Sequence, residues 1–107
     1  MRKRIPEDQV PLYSLETYRM LTSCYPVKVD PDDYFSLLRI LGEWASEEGV
    51  GNIMMECGFA EHPAYVHHDL INAMNSSSKA PAEDGQRVMD KLKLHGYDKF
   101  IEEARRW

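Results

Sequence analysis

The sequence has few of the features that mark metal-binding, secreted or membrane-spanning proteins. Its only two cysteines, Cys24 and Cys57, form no CxxC pair, which argues against a zinc knuckle or a thioredoxin-like motif and predicts reduced core thiols. The basic N-terminus lacks the apolar run of a signal peptide, and no stretch approaches the length of a membrane span. We therefore expect a cytoplasmic protein without structural disulfides.

Motifs of the common enzyme classes are also missing. There is no GxSxG, phosphate loop, HExxH or EF-hand pattern. His62, His67 and His68 lie near Cys57, but their spacing does not place two metal ligands on one helical face. His95 is interpreted as a partly buried imidazole at a helix end, with a general base as the alternative. We expect no catalytic activity, no metal and no cofactor.

The net charge of the chain bears on whether its partner is a nucleic acid, a membrane or a protein. The 107 residues include 18 acidic and 13 basic side chains, a formal charge of -5, which opposes non-specific attraction to nucleic acid or to an anionic membrane. Ordinary solubility accounts for such a charge, and an acidic face that meets a basic partner is the alternative. A hydrophobic fraction of 43% and a charged fraction of 29% are typical of a folded globular domain.

The stretch from Cys24 to Trp44 contains the most apolar helix that the sequence predicts. Asp30 is a good N-cap and Pro31 suits the first helical position. At 100° per residue, one stripe is apolar and wide enough to pack on a core. Its members are Tyr34, Leu37, Leu38, Leu41, Trp44 and Ala45.

Four further helices and a short sixth piece follow from capping residues and helical periodicity. Helices are predicted over about 15–24, from Ser46 to Gly58, from Pro63, and from Pro81 to Gly96, with a last piece after Asp98. The fourth should face inward through Val66, Leu70, Ala73 and Met74. The expected fold is all-α, a compact orthogonal bundle of five helices and a short sixth. Residues 1–13 form an extended N-terminal arm, and residues 14–107 form a single helical domain.

Phe35 points away from the apolar stripe, among Arg39, Gly42 and Glu43. Either the chain covers the ring, or the ring anchors a partner or a second copy of the chain. For the first case, the candidate covers are Val10, Leu12, Tyr13, Phe100 and Trp107. For the second, Phe35, Arg39 and Glu43 are the candidate protein-interaction residues.

Residues 50–74 also fit a helix-turn-helix, which gives the alternative of a DNA-associated regulator. The would-be recognition helix from Pro63 to Met74 contains no Lys or Arg, although base and phosphate contacts are usually built around these residues. Nucleic acid is therefore the weaker alternative as a partner.

Several motifs resemble the actinobacterial domain-of-unknown-function family 3349. Tyr25-Pro26, Val29, Pro31, Asp33-Tyr34, Leu37-Leu38 and Leu41 are similar to the opening of that family. His68 to Ile71 and the segment from Pro81 through Val88 to Tyr97 resemble its later parts. The resemblance implies a small helical bundle found in actinobacteria, and it implies no established activity. The chain departs from the family pattern in its N-terminal arm, its Gly49-x-Gly51 pair and its C-terminal extension, and a phage-encoded or otherwise diverged relative would account for these departures.

These observations predict a small acidic module that binds another protein, as an adaptor, an inhibitor or an immunity-type partner. The partner would be a protein, with a basic surface as one option and a homodimer as the alternative.

Overall fold

Six α-helices account for most of the computed structural model, which describes residues 4–75 and 81–106. Within those residues there is no β-strand, and the radius of gyration of 12.6 Å matches the value of about 13 Å expected for a folded chain of this length. The all-α prediction is therefore confirmed. The helices are α1 (Leu15–Cys24), α2 (Pro31–Gly42), α3 (Glu47–Glu56), α4 (Pro63–Asn75), α5 (Ala82–Leu94) and α6 (Tyr97–Arg106).

The helix count differs slightly from the expected one. α6 has 10 residues, as many as α1, so it is a full helix and not a short piece. Residues 4–14 are not wholly extended, because 3-10 turns form at Glu7–Gln9 and Leu12–Ser14. The orthogonal arrangement and the domain boundary at residue 13 stay predictions.

Local capping explains where α2 and α3 begin. The Asp30 carboxylate accepts a hydrogen bond from the amide of Asp32 at 3.3 Å, and Pro31 occupies the first helical position. The Ser46 hydroxyl accepts from the amide of Gly49 at 3.1 Å. Gly58, at a φ of 79°, then ends α3 in a left-handed turn that suits glycine. Both starts were predicted from the sequence.

The start of α1 depends on a residue from the other end of the chain. Ser14 makes no side-chain cap. Instead the buried carboxylate of Glu103 in α6 accepts from the amides of Glu16 at 2.6 Å and Thr17 at 3.2 Å. The Thr17 hydroxyl donates to it as well, at 2.7 Å. Negative charge at a helix N-terminus is favourable, so Glu103 both caps α1 and ties it to α6.

The core lies around α2, which packs against both α4 and α5. Leu37, Leu38 and Leu41 are fully buried, as the apolar stripe predicts. Cys57 belongs to the same core, whereas Cys24 is half-buried, and both thiols are free. No helix in the described part of the chain is long and apolar enough to span a membrane.

Three predicted inward positions are wrong. Ala45 is exposed, because α2 ends at Gly42 and Ala45 lies in the connection after it, off the helical stripe. Met74 is 43% exposed, because α4 packs through Val66, Leu70 and Ala73 and Met74 lies at the edge of that stripe. His95 is exposed, and it is not the partly buried imidazole expected at this position. It caps α5 with a φ of -124°, so its side chain no longer follows the helical wheel that placed it beside Val88 and Leu92.

Candidate functional site

The three residues predicted to bind a partner lie on the outer side of α2, in two different settings. Arg39 and Glu43 line a groove of about 400 Å³ between α2 and the start of α5. Phe35 is half-buried, and its ring meets that of Tyr34 edge-on with 5.2 Å between centroids. Leu12 and Tyr13, two of the expected covers, are mostly exposed, and Trp107 lies outside the described residues. The role of Phe35, Arg39 and Glu43 stays a prediction.

Ser36 lines the same α2–α5 groove. The residue is 2% exposed, and its hydroxyl has no hydrogen-bond partner in the part of the chain that the structure describes. A buried hydroxyl of this kind does not mark a ligand site by itself, because its oxygen is closed to solvent.

The net negative charge of the protein comes from about a third of the chain, which lacks basic side chains. Residues 43–75, from the end of α2 to the end of α4, contain six of the 18 acidic side chains and none of the 13 Lys and Arg side chains. The rest of the chain is therefore almost balanced. Sequence reasoning used the missing basic residues only against DNA binding and overlooked this asymmetry.

One face of α4 is exposed although two of its residues are large and apolar. Ile71 is 39% exposed and Met74 is 43% exposed. With Ala64 and His67 they follow a spacing of three, four and three residues along the helix. Residues at this spacing share one face, and the same spacing forms the seam of helix pairs in coiled coils. The sequence shows the spacing of these residues, but periodicity alone did not reveal that this face is exposed, because it assigned Met74 to the inward side.

Two depressions run along this face and meet at Glu47. The first, of about 380 Å³, lies between α4 and the α2–α3 connection and contains Leu70, Ile71 and Met74 on one side and Gly42 and Ala45 on the other. The second, of about 520 Å³, contains Glu47, Glu48, His62, Ala64 and His67. Because Glu47 lines both, we treat them as one surface and call it the α4 groove.

Glu47 is the acidic centre of the α4 groove. Its carboxylate lies 3.2 Å from Nδ1 of His67, and its side chain is 53% exposed. Glu47 stands in the first turn of α3 beside another exposed acid, Glu48. A carboxylate in this position remains accessible to a cation from outside the chain.

The histidine group has a different arrangement from the one weighed as a metal site. His62, His67 and His68 are exposed, whereas Cys57 is in the core. The His62 Nδ1 accepts from the amide of Ala64 at 3.0 Å. In the described residues, no group of three or more His, Cys, Asp or Glu side chains is placed to hold a metal ion.

Burial makes both thiols poor nucleophiles. It raises the pKa of Cys57 to about 12, with Arg4 lowering it by less. It raises the pKa of Cys24 to about 11, against the lowering effect of Lys91. The thiolate is the reactive form, so neither cysteine suits nucleophilic chemistry near neutral pH.

A second acidic centre, Asp33, lies where α2 packs against α5 and is closed to solvent. It is 2% exposed and accepts from the Tyr25 hydroxyl at 2.9 Å and from Lys91 Nζ at 2.9 Å. Arg87 donates to it through Nε at 3.1 Å and Nη2 at 2.7 Å. Burial alone would raise the pKa of Asp33, but the hydrogen bonds from Arg87, Lys91 and Tyr25 outweigh it and lower the pKa. Asp33 thus holds elements together and presents no free oxygen.

Comparison with known proteins gives no match to a protein-family model, to a curated protein or to a solved structure. The resemblance to domain-of-unknown-function family 3349 therefore stays a prediction.

Proposed function

We propose that the protein is a non-catalytic, cytoplasmic module that binds another protein through the α4 groove. The observation that supports this most directly is the exposed face of α4, where Ile71 and Met74 stand in a depression within a region that contains no Lys or Arg. Exposed apolar side chains grouped in a groove are typical of interaction sites.

The side chains of this face suit a binding surface. Met74 is unbranched and polarisable, so it adapts to different partner shapes. Burying Ile71 and Met74 removes apolar surface from water, at roughly 25 cal/mol per Å². Leu70 beneath them is 2% exposed and gives the groove a fixed floor. The same groove could hold a second copy of the chain, which is an alternative outcome of the experiment below.

A DNA-associated regulator is the second candidate, because α3, the connection after it and α4 have the order of a helix-turn-helix. The charges oppose it. A recognition helix in the position of α4 would bring Glu47, Glu48 and Asp69 close to phosphates with no Lys or Arg to offset them.

Site-specific photo-crosslinking tests the proposed function. A photoreactive amino acid replaces Ile71 in the groove or, as the matched control, Leu94 of α5, which is 83% exposed. We expect a discrete adduct in host cells from position 71 and none from position 94. Adding Met74→Ser to the first variant should abolish the adduct, because the substitution removes the neighbouring apolar contact without changing the charge.

Three outcomes would overturn the proposal. One is the absence of an adduct at position 71, and another is the same set of adducts from both positions. The third is binding of purified protein to duplex DNA at low salt with a steep loss on adding salt, which would favour the regulator. An adduct of two copies of the chain would replace a foreign partner with a homodimer.

A further inference from the structure

We infer that the element held in the α4 groove is a basic amphipathic helix of a partner protein. The inference rests on the proposed function and makes it specific by naming the chemistry of the partner. It draws on three observations: the spacing and length of the exposed face, the charge of the groove, and the lack of a net basic helix among the helices that the structure describes.

The geometry of the exposed face suits a helix. Ala64, His67, Ile71 and Met74 repeat at the spacing by which one helix packs against another. From the first to the last, at the rise of an α-helix, the face is about 15 Å long, which three turns of a partner helix would cover. A partner helix would place apolar residues at the same spacing against Ile71 and Met74.

Charge specifies the flanks of that helix. Glu47 stands where the two depressions meet, Glu48 lines the second, and both side chains are exposed. No Lys or Arg between residues 43 and 75 competes for these carboxylates. Lys or Arg residues beside the apolar stripe of the partner would therefore find exposed carboxylates, of which Glu47 has only the exposed His67 as a salt-bridge partner among the described residues, whereas Glu or Asp there would be repelled.

The same charges argue against self-association. Two copies facing each other through the α4 groove would bring Glu47 and Glu48 of one copy towards those of the other. None of the six helices in the described residues has a net positive charge, since even α5 and α6 each carry three acidic side chains beside their three basic ones. The basic helix must therefore come from a different protein.

Synthetic peptides of about 14 residues, or four helical turns, test the inference on the purified full chain. The first has a leucine stripe flanked by lysines. The second has the same stripe flanked by glutamates. The third has the composition of the first with the leucines scattered so that no stripe forms. We expect the first peptide to bind at least tenfold more tightly than either of the others.

Four variants locate the binding. Ile71→Ser should weaken binding of the lysine peptide by about tenfold, the usual cost of losing an apolar anchor, while Leu94→Ser changes nothing. Glu47→Gln should weaken it by roughly two- to fivefold, as for a partly exposed ion pair. Glu102→Gln in α6 is the matched charge control and should have no effect. Each variant is first shown to melt like the unaltered protein.

Equal binding of the lysine and glutamate peptides would overturn the inference, since the groove would then not distinguish a basic helix from an acidic one. Equal binding of the scattered peptide would overturn it too, because no helical stripe would be needed. So would an equal loss in Glu47→Gln and Glu102→Gln. If no peptide binds while position 71 still forms its adduct, the partner is not a basic helix and the proposed function stands.

Discussion

Asp33 and Glu47 are both acids in the first turn of a helix, and the fold uses them in opposite ways. Asp33 faces α5, is 2% exposed and accepts hydrogen bonds from Tyr25, Arg87 and Lys91. Glu47 faces α4, is 53% exposed and stands in a region without Lys or Arg. Where α2 packs on α5, the charges therefore hold the bundle together, whereas on the side of α3 and α4 the carboxylate of Glu47 stays exposed.

The largest expected loss of stability comes from removing Asp33, the buried acid between α2 and α5. Asp33→Ala should lower the free energy of unfolding by about 3 kcal/mol, because removing one member of a buried ion pair is strongly destabilising and Arg87 and Lys91 are only partly able to recover solvent. For a domain of this size the melting temperature should fall by about 10 °C or more. Urea unfolding and calorimetry measure both quantities. A loss below about 1 kcal/mol, the range of exposed ion pairs, would show that Asp33 does not hold α2 and α5 together.

Neighbouring residues in the sequence predicted the first turn of α2, but they could not predict the two residues of α5 that bond to Asp33. Asp30, Pro31 and Asp33 stand within one turn, so capping and helix-dipole rules apply without knowledge of the fold. Arg87 and Lys91 are 54 and 58 positions away, and no local rule connects them to Asp33. Their position depends on how α5 packs against α2.

At the candidate site, too, local features were predicted from the sequence and tertiary contacts were not. The helix start at Pro63 was predicted, and the sequence shows directly that this helix has no Lys or Arg. Which face of α4 is buried depends on its neighbours, and the periodicity alone assigned Met74 to the wrong side. The Glu103 cap of α1, 87 positions from Glu16, could not be found from any local pattern.

Lowering the pH should remove the contribution that Asp33 makes to the free energy of unfolding. Because its pKa in the folded state lies below the ordinary value of 3.8, Asp33 stabilises the fold fully above that value. The contribution is lost as the pH falls through the ordinary value towards the lower pKa of the folded state. The difference in unfolding free energy between the unaltered protein and Asp33→Asn should therefore be constant near neutral pH and shrink below about pH 4. A difference that does not change with pH would show that the charge of Asp33 contributes nothing.

Glu103 and Glu102 allow the same contrast within one helix. Glu103→Ala should cost about 1–2 kcal/mol, since it removes the cap of α1 and leaves the amides of Glu16 and Thr17 without that acceptor. Glu102→Ala, one position earlier and exposed, should change stability by less than about 0.5 kcal/mol. Denaturant unfolding of the two variants side by side gives the comparison. Equal losses would indicate a general effect of charge on α6 and not a cap.

The smallest change in stability is expected from Glu47→Gln, in the exposed α4 groove. An acid in the first turn of α3 gains roughly 0.3–1 kcal/mol from the helix dipole at low ionic strength, but salt screens this gain, and Glu48 keeps a negative charge in the same turn after the substitution. The contact of Glu47 with His67 is solvent-exposed and adds little. The unfolding free energy at pH 7 should therefore change by less than about 0.5 kcal/mol, as in surface substitutions generally, while binding of the lysine peptide is weakened. A loss above about 1 kcal/mol would place Glu47 with Asp33 among the residues that hold the bundle together, and the contrast between the two acids would then fail.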